Sequence, residues 1–428
     1  MLDLSQRQEI IELMHKEIVP AIGCTEPIAV ALCVAKAREI LGEIPEKIDV
    51  LLSKNIIKNA MGVGIPGTGM IGLPIAIALG ATIGKSDYKL QVLKDLTQND
   101  VENAKTYIDK GRINISLKEN CPNNLYIEVH CYYKENQSIA IIQGAHDNFT
   151  YIEKNNKIIY KQDYRENKDN GSNVDLNFDQ VYDFSIETPL EEIKFILDAA
   201  EMNKNASIIS MDGDYGHQIK NILSSEKAKE IIGENILNTI IAATAGACDL
   251  RMDGAMVPVM STAGSGNQGI AATLPVTLFA ESFNCEKEQL IRALTLSNLM
   301  VIYIKQKLGK LSPLCGCVVA STGSSCGITY LLGGDKSQIS FAAKNMIASI
   351  TGMICDGAKP SCSLKIATSI YTAALSALMA IDNNVVSHHE GIIDDDIEKT
   401  IENLADIGKR GMRETDNVIL EIMTNKNI

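Results

Sequence analysis

Positive charge is in short supply in this chain of 428 residues: 40 Lys and Arg face 53 Asp and Glu, a formal net charge of −13. A surface that binds phosphate backbones without reading sequence needs clustered Lys and Arg. No basic stripe is present, so no nucleic-acid partner is expected. Histidine is scarce too, 6 in all. His388 and His389 precede an acidic stretch and His15 lies in a charged segment, so neither a Ser-His-Asp nor a His-Glu arrangement is available. Missing as well are closely paired cysteines of the C-x2-C type that structural zinc sites use. The 11 cysteines are an odd number spread over the whole length, unlike a secreted disulfide framework. A reducing, cytoplasmic setting follows.

Three stretches lack any Asp, Glu, Lys or Arg: residues 60–84, 254–280 and 311–334. Their length raises the question of a membrane span. Their composition, with "GVGIPGTGMIGLP" and "STAGSGNQGI", is too rich in Gly, Ser, Thr and Pro for one. Buried loops and helix ends lining a cavity fit better, and no membrane partner is expected. The opening "MLDLSQRQEIIELMHKEIVPAIG" is charged and amphipathic rather than a signal peptide.

What is present suits an α+β fold with two domains, since 428 residues exceed one ordinary core. Residues 1–46 read as N-terminal helices, "RQEIIELMHKEIV" and "TEPIAVALCVAKAREILG", packed on the helical domain. Residues 47–180 read as an α/β domain with a mixed sheet. Its strands are expected at "KIDVLLS", "YKLQVLK", "INISLKE", "LYIEVHCYY", "SIAIIQGA" and "KIIYKQD", with a helix at "VENAKTYIDKG". The polar run 164–179 reads as a linker or exposed loop. Residues 181–428 show helical spacing almost throughout and no short repeat, so this domain is expected to be mainly α-helical. A homo-oligomer is compatible with the composition.

Among the cysteines, Cys24, Cys315, Cys317, Cys326, Cys355 and Cys362 stand out by surroundings that are small, apolar or rich in Gly and Ser. Cys33, Cys121, Cys131, Cys248 and Cys285 read as small buried hydrophobes. Cys315, Cys317, Cys355 and Cys362 could supply thiolates to one soft metal centre, with simple packing as the competing reading. Three thiolates on a four-iron cluster would leave one iron open. The glycine-rich runs could cradle a carboxylate or serve tight turns. Asn59, Thr68, Ser265, Asn267, Lys359 and Lys365 need partners if buried, and a small zwitterionic substrate would provide them.

"GCTEP", "KNAMGVGIPGTGMIG", "GSGNQGIAATLPV", "LCGCVVASTGSSCGITYLLGG" and "MICDGAKPSCSLK", in this order, closely resemble the L-cysteine desulfidase family, which is related to the alpha part of iron-sulfur L-serine dehydratases. The resemblance implies an oxygen-sensitive [4Fe-4S] enzyme that splits L-cysteine into pyruvate, ammonia and hydrogen sulfide without pyridoxal phosphate. It implies Cys315, Cys355 and Cys362 as cluster ligands, with Cys317 the runner-up for the first, and Cys24 as a base, sulfur acceptor or transient ligand. Glu26 is the alternative base. Ser361 and Ser363 stand where the resemblance leads one to expect Gly and Ala beside the last cysteine. The nearest rival is L-serine dehydratase, from which "GCTEP" sets the chain apart. Pro27 suits a first helical turn, whose partial charge is expected to favour a Cys24 thiolate.

Overall fold

The alternating runs after residue 46 form a sheet because one face of each can be buried while the other stays polar. A computed structural model describes residues 2–162, 174–309 and 314–425. Its strands are β1 Ile18–Ala21, β2 Lys47–Leu52, β3 Gly64–Ile65, β4 Met70–Ile71, β5 Ile113–Leu117, β6 Tyr126–Tyr133, β7 Asn136–Gln143, β8 Phe149–Lys154, β9 Lys157–Lys161 and β10 Val259–Thr262. Six of them make one mixed sheet in the order β5-β2-β6-β7-β8-β9, parallel between β2 and β5 and antiparallel elsewhere. The protein is α+β, as its sequence predicts. In β6, Ile127, Val129 and Cys131 are fully buried under the helix Thr25–Leu41, and Tyr126, Glu128 and His130 take the other face.

Residues 1–46 divide between the two cores instead of packing together on the helical one. Leu4–Glu17 has a single narrow apolar stripe, and Ile10, Leu13 and Met14 join the helical core. Thr25–Leu41 is apolar all round from Ala29 to Ala35, so it needs cover on several sides. The sheet supplies one side and the helix Leu73–Thr82 another. Between the two helices, β1 continues where the sequence suggested helix, pairing antiparallel with β10 from Ile18↔Thr262 to Ala21↔Val259. This pairing ties the Gly23–Cys24 turn to the helical half.

"YKLQVLK" alternates but is not a strand: Ser86–Gln91 is a 3-10 segment interrupted by Lys89 at φ 50°. Glu39 anchors the segment by accepting hydrogen bonds from the Ser86 amide and hydroxyl. Within the six-stranded sheet, the strand unforeseen in the sequence is β8, which carries the polar "FTYIEK". Of the expected linker 164–179, residues 164–173 lie outside the described residues; Leu176 is fully buried and Phe178 opens the helix Phe178–Glu187.

The helical half is built around Lys287–Leu308 and Gly316–Leu331. Residues Cys317 to Thr329 of the latter are all buried, which accounts for an uncharged run without a membrane. Its hydroxyls are satisfied inside the fold, Ser325 on the Ala373 carbonyl at 2.8 Å and Ser321 on Ser369 at 2.8 Å. One helix, Cys362–Ile381, is by length and composition apolar enough to cross a membrane; here it packs against Ile236–Met252, Gly316–Leu331 and Lys336–Ile350. The glycines of the first two uncharged runs also find a reason. A Cβ on Gly64 would stand 2.2 Å from the Asp253 carbonyl, so the β3 turn and the end of Ile236–Met252 cross backbone to backbone.

Candidate functional site

Four helix beginnings converge where the two cores meet. Cys24 is the residue before Thr25–Leu41, Ser265 before Gly266–Ser282, Cys315 before Gly316–Leu331, and Cys362 is the first residue of Cys362–Ile381. Helix N-termini present unpaired N–H groups and a partial positive charge, which favours anionic sulfur or carboxylate. Local pairing brings the sulfurs in: an antiparallel bridge Leu314↔Ile354 and a 2.9 Å bond from the Cys315 amide to the Met353 carbonyl set Cys315 beside the strand leading to Cys355. The Cys362 amide donates to the Lys359 carbonyl at 2.9 Å, which folds the loop back.

All the cysteines are free. Cys317 lies 3.2 Å from Cys315 Sγ and 3.1 Å from Met353 Sδ. The bond from Cys317 holds the Cys315 thiol down to about 7, while Cys317 itself is pushed up. Burial raises Cys355, and raises Cys362 to about 11; each also senses the charge on Cys315. Cys248, read from sequence as plain core, is fully buried within electrostatic reach of Cys362 and Cys315.

The question is whether these residues fit an iron-sulfur cluster. Among the described residues no group of three or more His, Cys, Asp or Glu is set to hold a single metal ion. Cys315, Cys355 and Cys362 bring sulfur donors to the convergence, and the neighbouring Asp356 carboxylate is taken up by two lysines, which suits iron-sulfur chemistry. Lys359 and Lys365 both grip Asp356, Lys359 at 2.7 Å, and Lys365 also donates to the Ile354 carbonyl at 2.9 Å. Lys58, almost fully buried and paired with Asp416, adds a third cation near Cys355. Cations and helix ends around three thiols are what a net-negative thiolate cluster requires, so Cys315, Cys355 and Cys362 fit the group.

Cys24 is buried beside Arg251, whose Nη2 lies 2.8 Å from the Gly23 carbonyl and 3.8 Å from Cys24 Sγ. The helix-end effect expected to favour its thiolate is overridden: burial pushes the Cys24 thiol up to about 12, against the pull of Arg251. Glu26, half-buried two residues further, accepts from Asn59 Nδ2 at 3.2 Å. Asn267 accepts from Arg251 Nη1 at 3.0 Å. Ser265 caps its helix through the Gln268 amide. The Thr68 hydroxyl is committed to the turn between β3 and β4, donating to the Ile65 carbonyl at 2.8 Å. Cys24 and Asn267 thus meet at Arg251, and Asn59 meets Glu26, whose charge reaches Cys24; Thr68 serves the turn, and Lys359 and Lys365 serve the cysteine loop. The Ser363 hydroxyl turns to the Pro360 carbonyl at 2.9 Å.

Sequence reasoning missed Arg251, Gln268 and Lys58. A signal for Arg251 was available: it is a lone cation at the end of the Ala-rich run "IIAATAGACDLRM", next to an uncharged stretch.

The family described as serine dehydratase alpha chain matches residues 87–421, a range that holds Arg251, Gln268, Cys315, Cys355 and Cys362 and begins after Cys24 and Glu26. Over the whole chain, similarity runs to a UPF0597 protein of Bacteroides fragilis, 57% identical over 423 residues and 99% of each chain. A UPF0597 protein of Parabacteroides distasonis is 55% identical over 434 aligned positions and 100% of each chain. One of Shewanella pealeana is 44% identical over 425 residues, covering 97% of this chain and 98% of its own.

Proposed function

Because the chain belongs to the serine dehydratase alpha chain family, we propose that it is an iron-sulfur lyase whose substrate is L-cysteine, cleaved to pyruvate, ammonia and hydrogen sulfide. The observation that carries the reading is the meeting of Cys24, on a segment ahead of the matched range, with Cys315 and Cys362 at converging helix N-termini and with Cys355 on the loop that leads to Cys362. Cys315, Cys355 and Cys362 would hold a [4Fe-4S] cluster. When bound, with one iron free of cysteine, the cluster would supply a Lewis acid for departing sulfur. L-Serine dehydration is the second reading, favoured by the description of the family.

The protein's own residues supply the rest. In β-elimination the Cα–H bond breaks, its electron pair forms the Cα=Cβ bond, and the Cβ–S bond breaks with sulfur keeping its pair. Glu26, held by Asn59, takes the α-proton. Cys24, kept protonated by burial, gives a proton to the departing hydrosulfide, and Glu26 then returns its proton to the Cys24 thiolate. The carboxylate and the thiol thereby divide the work. The 2-aminoacrylate released takes up water and yields pyruvate and ammonia. Burial of Cys24 and Arg251 keeps water from the site until sulfur has left.

The test is anaerobic assay of iron- and sulfide-loaded protein on L-cysteine and L-serine side by side. Equimolar sulfide and pyruvate from cysteine at the higher kcat/KM supports the reading. Pyruvate from serine alone moves the substrate to serine.

A further inference from the structure

Two buried polar atoms at the convergence have no partner among the described residues: Nε of Arg251 and Oε1 of Gln268. Their residues are only 5% and 4% exposed, so neither atom is satisfied by bulk water. An unmet buried donor or acceptor costs on the order of 1–3 kcal/mol, and such groups call for an explanation. The other atoms of both side chains are well anchored. Arg251 is held by Gly23 and Asn267. Gln268 Nε2 donates to the carbonyl oxygens of Thr262 and Ala263, both at 3.4 Å, which fixes the amide orientation and leaves the oxygen turned away from them.

Each orphan atom also stands beside a glycine. A Cβ on Gly266 would fall 2.3 Å from Arg251 Nε, and one on Gly316 would fall 3.4 Å from Gln268 Oε1. Any other residue at these positions would fill the space next to the unmet group. Both atoms flank the start of Gly266–Ser282, and both lie next to the reacting cysteines: Arg251 against Cys24, and Gln268 against the residue that follows Cys315.

We propose that Arg251 and Gln268 form the recognition site for the two charged ends of an α-amino acid, Arg251 taking the α-carboxylate and the Gln268 carbonyl oxygen taking the α-ammonium. The pairing follows from chemistry: a buried cationic donor is completed by an anion, and a buried neutral acceptor by a cationic donor. It deepens the reading of the site as an amino-acid lyase and rests on that reading for its substrate class. The side chain of the amino acid is then directed away from this segment, toward the cysteines. Asn267 positions the guanidinium through its 3.0 Å contact.

The experiment uses cluster-loaded protein and three competitive ligands that differ by one end. L-Alanine carries both charged ends and no leaving group, cysteamine lacks the carboxylate, and 3-mercaptopropionate lacks the ammonium. The readout is the dissociation constant of each ligand, titrated by the change it makes in the cluster's visible spectrum. Arg251→Lys is expected to weaken L-alanine and 3-mercaptopropionate about tenfold or more and to leave cysteamine unchanged. Gln268→Met is expected to weaken L-alanine and cysteamine to a similar degree and to leave 3-mercaptopropionate unchanged. A variant that weakens all three ligands equally, or none, overturns the assignment for that residue. If wild-type protein releases no product from cysteine or serine yet the two variants show this pattern of binding, the recognition site stands and the lyase reading falls. If wild-type protein turns over and the pattern is absent, the reverse holds.

Discussion

Gly357 is two residues beyond Cys355, at φ +93°, and a Cβ placed on it would lie 2.1 Å from the Lys58 carbonyl oxygen. Gly357→Ala therefore meets two obstacles. A left-handed conformation costs an L-residue about 1–2 kcal/mol. The contact is with backbone, which cannot swing aside, so the loop must move and carry Cys355 with it. Together we expect a loss of about 2–4 kcal/mol in stability. Gly352, in the same loop, has no atom within 4 Å of its Cβ position. Gly352→Ala is the control and is expected to stay within about 0.5 kcal/mol of the parent. Urea unfolding under anaerobic conditions measures both, and iron per protomer after reconstitution reports whether Cys355 is still in place. Gly357→Ala with parental stability and a full complement of iron would refute the claim that this crossing holds the loop.

Other predictions address the remaining parts of the account. Asp416→Ala strands the buried Lys58 ammonium and should cost ~3 kcal/mol, whereas Lys58→Met with Asp416→Leu should recover most of it; denaturation midpoints of the three proteins decide. Alanine at Cys315, Cys355 or Cys362 should abolish iron retention, while Cys24→Ala should keep the iron and lose turnover by 100-fold or more, on the order expected for a proton-transfer group. Cys121→Ala should change neither. Glu128 offers a pH test: burial raises its carboxyl, but bonds from His130, Lys118 and Tyr126 together outweigh that and hold it at about 2, down from 4.5. Stability from this group is present above pH 4.5 and lost as pH falls toward 2. After solvent screening the loss is ~1–2 kcal/mol, and Glu128→Gln should flatten that part of the curve.

The sheet was legible because β2, β6 and β7 alternate as half-buried strands do, and the helix Thr25–Leu41 because a Thr start and Gly42, left-handed at φ 89°, bracket an apolar run. Sequence failed where pairing was decided at a distance. β1 looks like the tail of a helix until β10, more than 200 residues on, supplies its partner. "YKLQVLK" has the right alternation, but Glu39 captures Ser86 and turns the chain. At the site, the cysteines announced themselves by their small, Gly- and Ser-rich surroundings. Their meeting with Arg251 did not, because a guanidinium that contacts Gly23 and Asn267 owes its place to three segments no local pattern connects. The electrostatic state of Cys24 was also out of reach, since burial by distant chain outweighs the helix end that the sequence does reveal.

The central claim, that cysteine cleavage depends on a cluster held by Cys315, Cys355 and Cys362, is tested most directly by following iron content and product release together. Anaerobically reconstituted protein is exposed to air in steps, assayed for pyruvate and sulfide from L-cysteine at each step, and then reconstituted with iron and sulfide. The account predicts that rate and iron fall in parallel and return together. Undiminished release from iron-free protein would contradict it.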